Sequence, residues 1–258
     1  MNGKKMRLSR IMKNGKAVII PMDHGVSNGP MDGIVKIEDT IRKLEEGGAT
    51  AILTHKGIIR SLSQVPKTGV IVHFSASTSM SPDTNWKVQV GSVEEAIRLG
   101  ADAVSVHVNI GCDREPEMLM KLGGIAEACD EWQIPLLAMM YPRGKNVKDP
   151  FDPKTVAHVA RVGAELGADI IKTNYTGSPE TFKQVVEGCP VPVVIAGGPK
   201  MDSDQAVLEM VKGAIQAGAV GVSMGRNVFQ HRNVAGMTRA LYRIIVEGAA
   251  VKEAVKEL

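Results

Sequence analysis

Apolar positions along the chain gather into eight short runs, each closing on polar or glycine-rich residues, with longer amphipathic stretches between them. The runs cover residues 17–22, 50–54, 70–74, 103–108, 135–140, 169–174, 192–196 and 219–224. Helical spacing predicts helices over 37–46, 115–132, 153–166 and 204–217. Asp152-Pro153 and Ser178-Pro179 read as N-cap and first-position pairs of two helices. The second-to-third connection is short, with room for two helical turns near 58–62. Strands that alternate with helices pair in parallel, and eight such units predict an α/β fold closed into a (β/α)8 barrel. The expected organisation is one barrel domain over residues 1–258, with 1–16 as a lead-in segment.

An internal repeat sharpens this picture. Gly48-Ala49-Thr50-Ala51-Ile52-Leu53-Thr54-His55 returns as residues 100–107, 167–174 and 218–225, which are the even-numbered strands. Each copy opens on a glycine at a helix C-terminus. Side chains alternate faces along a strand, so the sixth position of every copy should point the same way. That position holds Leu53, Ser105, Lys172 and Ser223. Alternate strands share one interior layer in a barrel of this kind. These four residues are therefore expected in one layer of the lumen, with His55, His107, Asn174 and Gly225 in the layer above.

Composition bounds the rest. The 258 residues suit one barrel of about 250 residues, and 44% hydrophobic content supplies a sizeable core. No apolar run approaches the roughly 18 residues of a membrane span, and the basic start, Lys4-Lys5-Met6-Arg7, precedes no apolar signal segment. Cys112, Cys129 and Cys189 are odd in number and form no CxxC pair, so reduced thiols and a cytoplasmic location are expected. A net charge of +3 from scattered lysines, with four Phe, three Tyr and two Trp, gives no basic-aromatic surface for nucleic acid. No membrane association, metal or cofactor is expected, since no histidine-carboxylate cluster has ligand spacing.

The chemistry gathers at strand ends, where such barrels place their active sites. Lys172 stands inside an apolar run. A buried lysine loses pKa by desolvation, and a neutral amine can form a Schiff base with a carbonyl. The plainer reading is an edge-strand lysine snorkelling to solvent, which requires an outward side chain. Asp23, directly after the first strand, is a candidate general base or partner of Lys172, or else an Asx-turn residue. His24, adjacent in sequence, is expected on the opposite face in a structural role. Tyr141 ends the fifth strand and can carry a proton, or sit at the rim as an aromatic, while Arg143 can orient the turn or meet an anion. Gly197-Gly198 and Gly225-Arg226, after strands seven and eight, fall where these barrels bind phosphate. Lys56 is expected outside the lumen and Lys200 in a solvated loop. Ser75, Ser77 and Thr78 can hydrogen-bond a sugar-like substrate or cap a turn.

Together, Met22-Asp23-His24-Gly25, Tyr141-Pro142-Arg143-Gly144, Lys172-Thr173-Asn174-Tyr175-Thr176-Gly177, Gly197-Gly198-Pro199-Lys200 and Gly225-Arg226-Asn227 resemble the archaeal-type class I aldolases over nearly the whole chain. The resemblance implies a TIM barrel whose Lys172 forms the imine, with Asp23 and Tyr141 in proton transfer. It implies substrate binding by Gly197, Gly198, Gly225 and Arg226 at the phosphate, with Arg143 and Ser75 as further contacts. Two activities within the family compete. Its fructose-bisphosphate aldolases typically carry a tryptophan two residues before the tyrosine, where this chain has Met139. The stretches 18–30, 138–145 and 226–231 are instead similar to a transaldolase branch serving the archaeal route to 3-dehydroquinate and the aromatic amino acids. That branch transfers the ketone fragment of a 6-deoxy-5-ketohexose 1-phosphate to L-aspartate 4-semialdehyde. The implied partners are a phosphorylated keto-sugar and an amino-acid semialdehyde, and the implied assembly is a homo-oligomer, a decamer in the family. For the acceptor carboxylate, Arg143, Lys145 and Lys56 stand as equal candidates. A phosphosugar isomerase and a non-catalytic phosphate-binding barrel are the readings from other classes.

Overall fold

The computed structural model describes residues 2–258. Eight parallel strands close on one another: β1 (Ala17–Pro21), β2 (Ala51–Thr54), β3 (Gly69–His73), β4 (Ala103–Ile110), β5 (Leu136–Pro142), β6 (Ile170–Thr173), β7 (Val193–Ala196) and β8 (Gly221–Ser223). Each pairs with its neighbour in sequence, and β8 returns to β1 with Ala17 opposite Gly221. Gly221 permits this closure, because a Cβ there would lie 1.8 Å from the Ala17 carbonyl oxygen. The architecture is the expected (β/α)8 TIM barrel.

The helices in chain order are α1 (Gly3–Ile11), α2 (His24–Asn28), α3 (Ile37–Gly47), α4 (Lys56–Ser61), α5 (Val93–Arg98) and α6 (Glu115–Glu131). They continue as α7 (Pro153–Glu165), α8 (Pro179–Glu187), α9 (Asp204–Gln216), α10 (Arg226–Phe229), α11 (Val234–Ile245) and α12 (Val251–Ala254). Asp152 and Ser178 cap α7 and α8 by accepting the backbone N–H of Thr155 and Thr181, each with proline in the first turn. Among the described residues no helix is long and apolar enough to cross a membrane.

The repeat has a mechanical meaning at the base of the barrel. Its glycines, Gly48, Gly100, Gly167 and Gly218, all take positive φ, the left-handed step that ends a helix and turns the chain into a strand. Its third position ties a strand to its predecessor. Thr50 accepts the N–H of Val18 through Oγ1, Asp102 that of Val70, and Asp169 that of Leu136, at 2.8–2.9 Å. Val220, in the fourth copy, has no side-chain acceptor for such a bond.

The lead-in segment is not a plain lead-in: residues 3–11 form α1, which seals the N-terminal mouth. Ile11 is fully buried with Ile19, Leu53, Ile71, Leu137 and Ile170 in the lumen cluster, flanked by Leu8 and Met12. Arg10 pairs with Asp102 and Lys4 with Asp169, so α1 is bolted to the acids that tie the strands. Its inward face rests on few apolar residues, which leaves only a faint helical pattern in the sequence. The larger core lies between barrel and outer helices.

Candidate active site

The lumen layer forms as the repeat predicts. Leu53, Ser105, Lys172 and Ser223 are all buried, with Lys172 only 7% exposed. Lys172 lies beside Met139 and Val194 in the strand register, and its Nζ approaches Met139 Sδ at 3.9 Å. The snorkelling reading fails because the side chain points into a closed lumen.

Above this layer the strand ends enclose a pocket of about 290 Å³. Its wall includes Asp23, His24, Lys87, His107, Met139, Tyr141, Arg143, Lys172, Asn174, Gly197, Gly198, Ser223, Gly225 and Arg226. Larger surface grooves exist, such as one of about 530 Å³ beside α3, which holds no strand-end chemistry.

Lys172 has its pKa lowered to about 8, chiefly by burial. Asp23 opposes this shift, while Arg143 and Arg226 add to it. Asp23 shows the inverse balance. Burial raises its carboxyl, but attraction to His73, His24, Lys172 and His55 outweighs burial and leaves the pKa lowered. His73 is itself lowered to about 3 by burial, so it is neutral over the working range. With His73 neutral there, the attraction of Lys172 remains to hold the carboxyl ionised. Tyr141 is pushed up, first by burial, and stays a phenol. Arg143 stacks over its ring at 4.8 Å and His107 packs against it at 5.0 Å, which fixes the hydroxyl's direction.

One residue beside Asp23 escapes the sequence reading. His73 Nε2 lies 3.7 Å from Asp23 Oδ2, while its Nδ1 sits 2.7 Å from Ser105 Oγ. With Nδ1 accepting from the serine hydroxyl, the Nε2–H faces the carboxylate and orients it. In sequence His73 is one polar residue in an apolar run, and only its inward parity, shared with Ile71, hints at this place. Ser223, which the repeat places in the lumen layer, has its Oγ buried without a hydrogen-bond partner among the described residues and lines the pocket with Lys172.

Other expectations change. His24 does not face away: the chain leaves β1 after Pro21 and turns through Asp23 into α2, so strand alternation stops and both residues line the pocket. Ser75 is not a pocket residue. It is buried, and its hydroxyl accepts from the His107 N–H and from Lys121 Nζ at 2.9 Å each. Lys56 is held outside the lumen by Glu95, Lys145 by Asp113, and exposed Lys200 by the Gln230 carbonyl. Of the three acceptor candidates only Arg143 reaches the pocket, where Lys87 joins it.

The glycine turns meet at one side of the rim. Buried Asn227 joins them by donating to the carbonyls of Gly197 and Pro199 and accepting the Met201 N–H. Arg226 leans across and donates to the Gly198 carbonyl at 3.0 Å. A Cβ on Gly225 would meet His24 Cε1 and the Pro21 carbonyl oxygen at 2.7 Å, so only glycine lets this turn approach the pocket floor.

Comparison with known proteins places this geometry. Residues 17–231 match the family described as DeoC/LacD family aldolase. The chain is 47% identical over 259 residues to 2-amino-3,7-dideoxy-D-threo-hept-6-ulosonate synthase 1 of Archaeoglobus fulgidus, covering 100% of this chain and 96% of that one. It is 42% identical over 246 residues to 2-amino-4,5-dihydroxy-6-oxo-7-(phosphonooxy)heptanoate synthase of Streptomyces griseus, covering 94% and 90%. An archaeal fructose-1,6-bisphosphate aldolase, solved with its catalytic Lys bound to the carbinolamine intermediate, superposes with a TM-score of 0.87 at 32% identity, covering 94% and 99%.

Proposed function

Since the chain belongs to the DeoC/LacD aldolase family, we propose that it is a lysine Schiff-base transaldolase acting as a 2-amino-3,7-dideoxy-D-threo-hept-6-ulosonate synthase. It transfers the ketone fragment of 6-deoxy-5-ketofructose 1-phosphate to L-aspartate 4-semialdehyde. The observation that carries the chemistry is the buried Lys172 amine, its pKa lowered to about 8, facing an ionised Asp23 and a protonated Tyr141 in one pocket. The choice of substrate rests on the two synthases similar over at least nine-tenths of their length and on Met139 at the position of the aldolases' tryptophan.

Neutral Lys172 Nζ attacks the donor ketone, and Tyr141 gives its proton to the oxygen as the carbinolamine forms. Water leaves and a protonated imine remains. Asp23 takes the proton of the hydroxyl β to the imine carbon. The C–C bond then breaks, its electron pair flows into the iminium, and an enamine stays on Lys172. The phosphate-bearing fragment leaves as a carbonyl. The enamine carbon next attacks the aldehyde of the acceptor, Asp23 returns its proton to the new alkoxide, and water releases the product. Opposite pKa shifts in one pocket support this division, with Tyr141 as acid and Asp23 as base. Gly197, Gly198, Gly225 and Arg226 hold the phosphate through backbone N–H groups and the guanidinium. A homo-oligomer is part of the same proposal, and analytical ultracentrifugation measures it.

Borohydride added with the keto-sugar phosphate should inactivate the protein and mark Lys172 in a peptide map; an unmarked Lys172 in inactivated protein refutes the assignment. Product formation from the keto-sugar phosphate and aspartate semialdehyde, compared with cleavage of fructose 1,6-bisphosphate, separates the synthase from the bisphosphate aldolase.

A further inference from the structure

The pocket has two cationic poles. The glycine turns and Arg226 occupy one, at the ends of β7 and β8; Lys87 and Arg143 occupy the other, beside β3 and at the end of β5. In the closed strand order these lie on opposite sides of the rim, with Lys172 of β6 between them. We propose that Lys87 and Arg143 form a second anion site that receives the α-carboxylate of the amino-acid aldehyde acceptor, an inference resting on the transaldolase reading above.

Three observations carry it. Neither cation is spent, since among the described residues neither forms an ion pair, unlike Lys56 and Lys145. Among the described residues the Lys87 amine bonds only the Ser77 hydroxyl, and Arg143 stacks on Tyr141 with the edge of its guanidinium in no ion pair.

Lys87 is also held in place. It directly precedes the return strand of a two-stranded ribbon, Ser75–Ala76 with Val88–Gln89, above β3. Beneath it the amine of Lys121, on α6, donates to the Lys87 carbonyl, the His107 carbonyl and the Ser75 hydroxyl. Burial and repulsion by the Arg143 guanidinium lower the pKa of the half-buried Lys87 ammonium against the pull of Asp23 and Asp83, neither of which forms an ion pair with it among the described residues. A bound anion removes that repulsion.

The third is the shape of the products. Both synthase names describe a 2-amino acid whose keto carbon is the sixth, so the carboxylate carbon stands five bonds from the carbon held by the lysine. In the transaldol reaction proposed above the phosphate has left with its fragment before the acceptor binds, and at that distance from Lys172 the acceptor's carboxylate reaches the rim, where Lys87 and Arg143 line the pocket. A planar fork beside a point charge suits a carboxylate.

The test uses the full chain with Lys87→Met and Lys87→Arg. Initial rates are measured with aspartate semialdehyde and with propanal, an aldehyde without charge. Lys87→Met should raise the KM for aspartate semialdehyde roughly tenfold or more, the loss expected for one charge-assisted hydrogen bond. It should leave the KM for propanal within about twofold, so that the preference for the charged acceptor collapses, and Lys87→Arg should recover part of it. Borohydride trapping of the donor on Lys172 reports that the variant is folded. An unchanged KM for aspartate semialdehyde with trapping intact overturns the second site alone, as does an equal loss with both aldehydes. Absence of trapping in the wild type overturns the Schiff-base reading instead.

Discussion

Asp23→Asn should make Lys172 reactive at lower pH while slowing turnover. Burial, Arg143 and Arg226 all lower the Lys172 pKa, and Asp23 alone among the groups acting on it raises it, giving about 8 against an ordinary 10.5. At pH 7 an amine of pKa about 8 is neutral in about one molecule in ten, against roughly one in three thousand at 10.5, a difference of about 3.4 kcal/mol. The asparagine side chain is nearly isosteric and keeps contact with the His73 ring, but it withdraws the negative charge that holds the lysine's proton. The acid limb of imine formation should then move down by about one pH unit if the pair is worth about 1.4 kcal/mol. The assay is the rate of borohydride trapping on Lys172 at saturating keto-sugar phosphate from about pH 5 to about pH 10, read by intact mass. Wild type should be half-maximal at about pH 8 and the variant below it. Steady-state turnover should nevertheless fall about 10²-fold or more, because the proton carrier for C–C cleavage is gone. An acid limb that stays in place or moves up would show that Asp23 does not set the lysine's charge.

Tyr141→Phe should slow trapping and turnover together by about 10²-fold, yet leave inhibition by inorganic phosphate within about twofold, since the phenol is assigned to proton transfer and not to the anion turn. His73 is neutral in the fold, with a pKa of about 3 against an ordinary 6.5; its stabilisation is complete above pH 6.5 and is lost as the pH falls toward 3. Urea unfolding at about pH 7 and about pH 4.5 should show about 2.7 kcal/mol of this loss in the wild type and its absence in His73→Asn; equal losses in both proteins would remove the histidine from the account. Gly221→Ala should destabilise by about 3 kcal/mol or more, or prevent folding, because its methyl group meets the Ala17 carbonyl at the β8–β1 seam. Thermal unfolding measures this, and a variant as stable as the wild type would contradict the closure described.

Where local periodicity carries the signal, the sequence is legible. Every barrel strand lies within two residues of its apolar run, and the four-fold repeat correctly aims Leu53, Ser105, Lys172 and Ser223 inward. What stays hidden depends on contacts made far along the chain. Helix α1 exists because Ile11 fills a hole that only the closed barrel creates. His24 defeats the alternation rule because β1 has already ended at Pro21 and α2 begins at His24 itself. Ser75 looks like a ligand for sugar hydroxyls until Lys121, 46 residues on, takes its oxygen. Lys87 lies in a segment without helical or strand rhythm, and neither periodicity nor a motif marks it. Positive charge placed in a pocket by a ribbon has no one-dimensional signature.

The plug at Ile11 also has a kinetic consequence. A lumen sealed at its base has a single doorway, and in the transaldol reaction two different carbonyl compounds must use it. The phosphate-bearing fragment has to back out before the acceptor can enter, since both come to the same face of the same enamine. Between those events the protein holds its half-product covalently. Double-reciprocal plots at several acceptor concentrations should therefore run parallel, a traffic rule imposed from the closed end of the barrel.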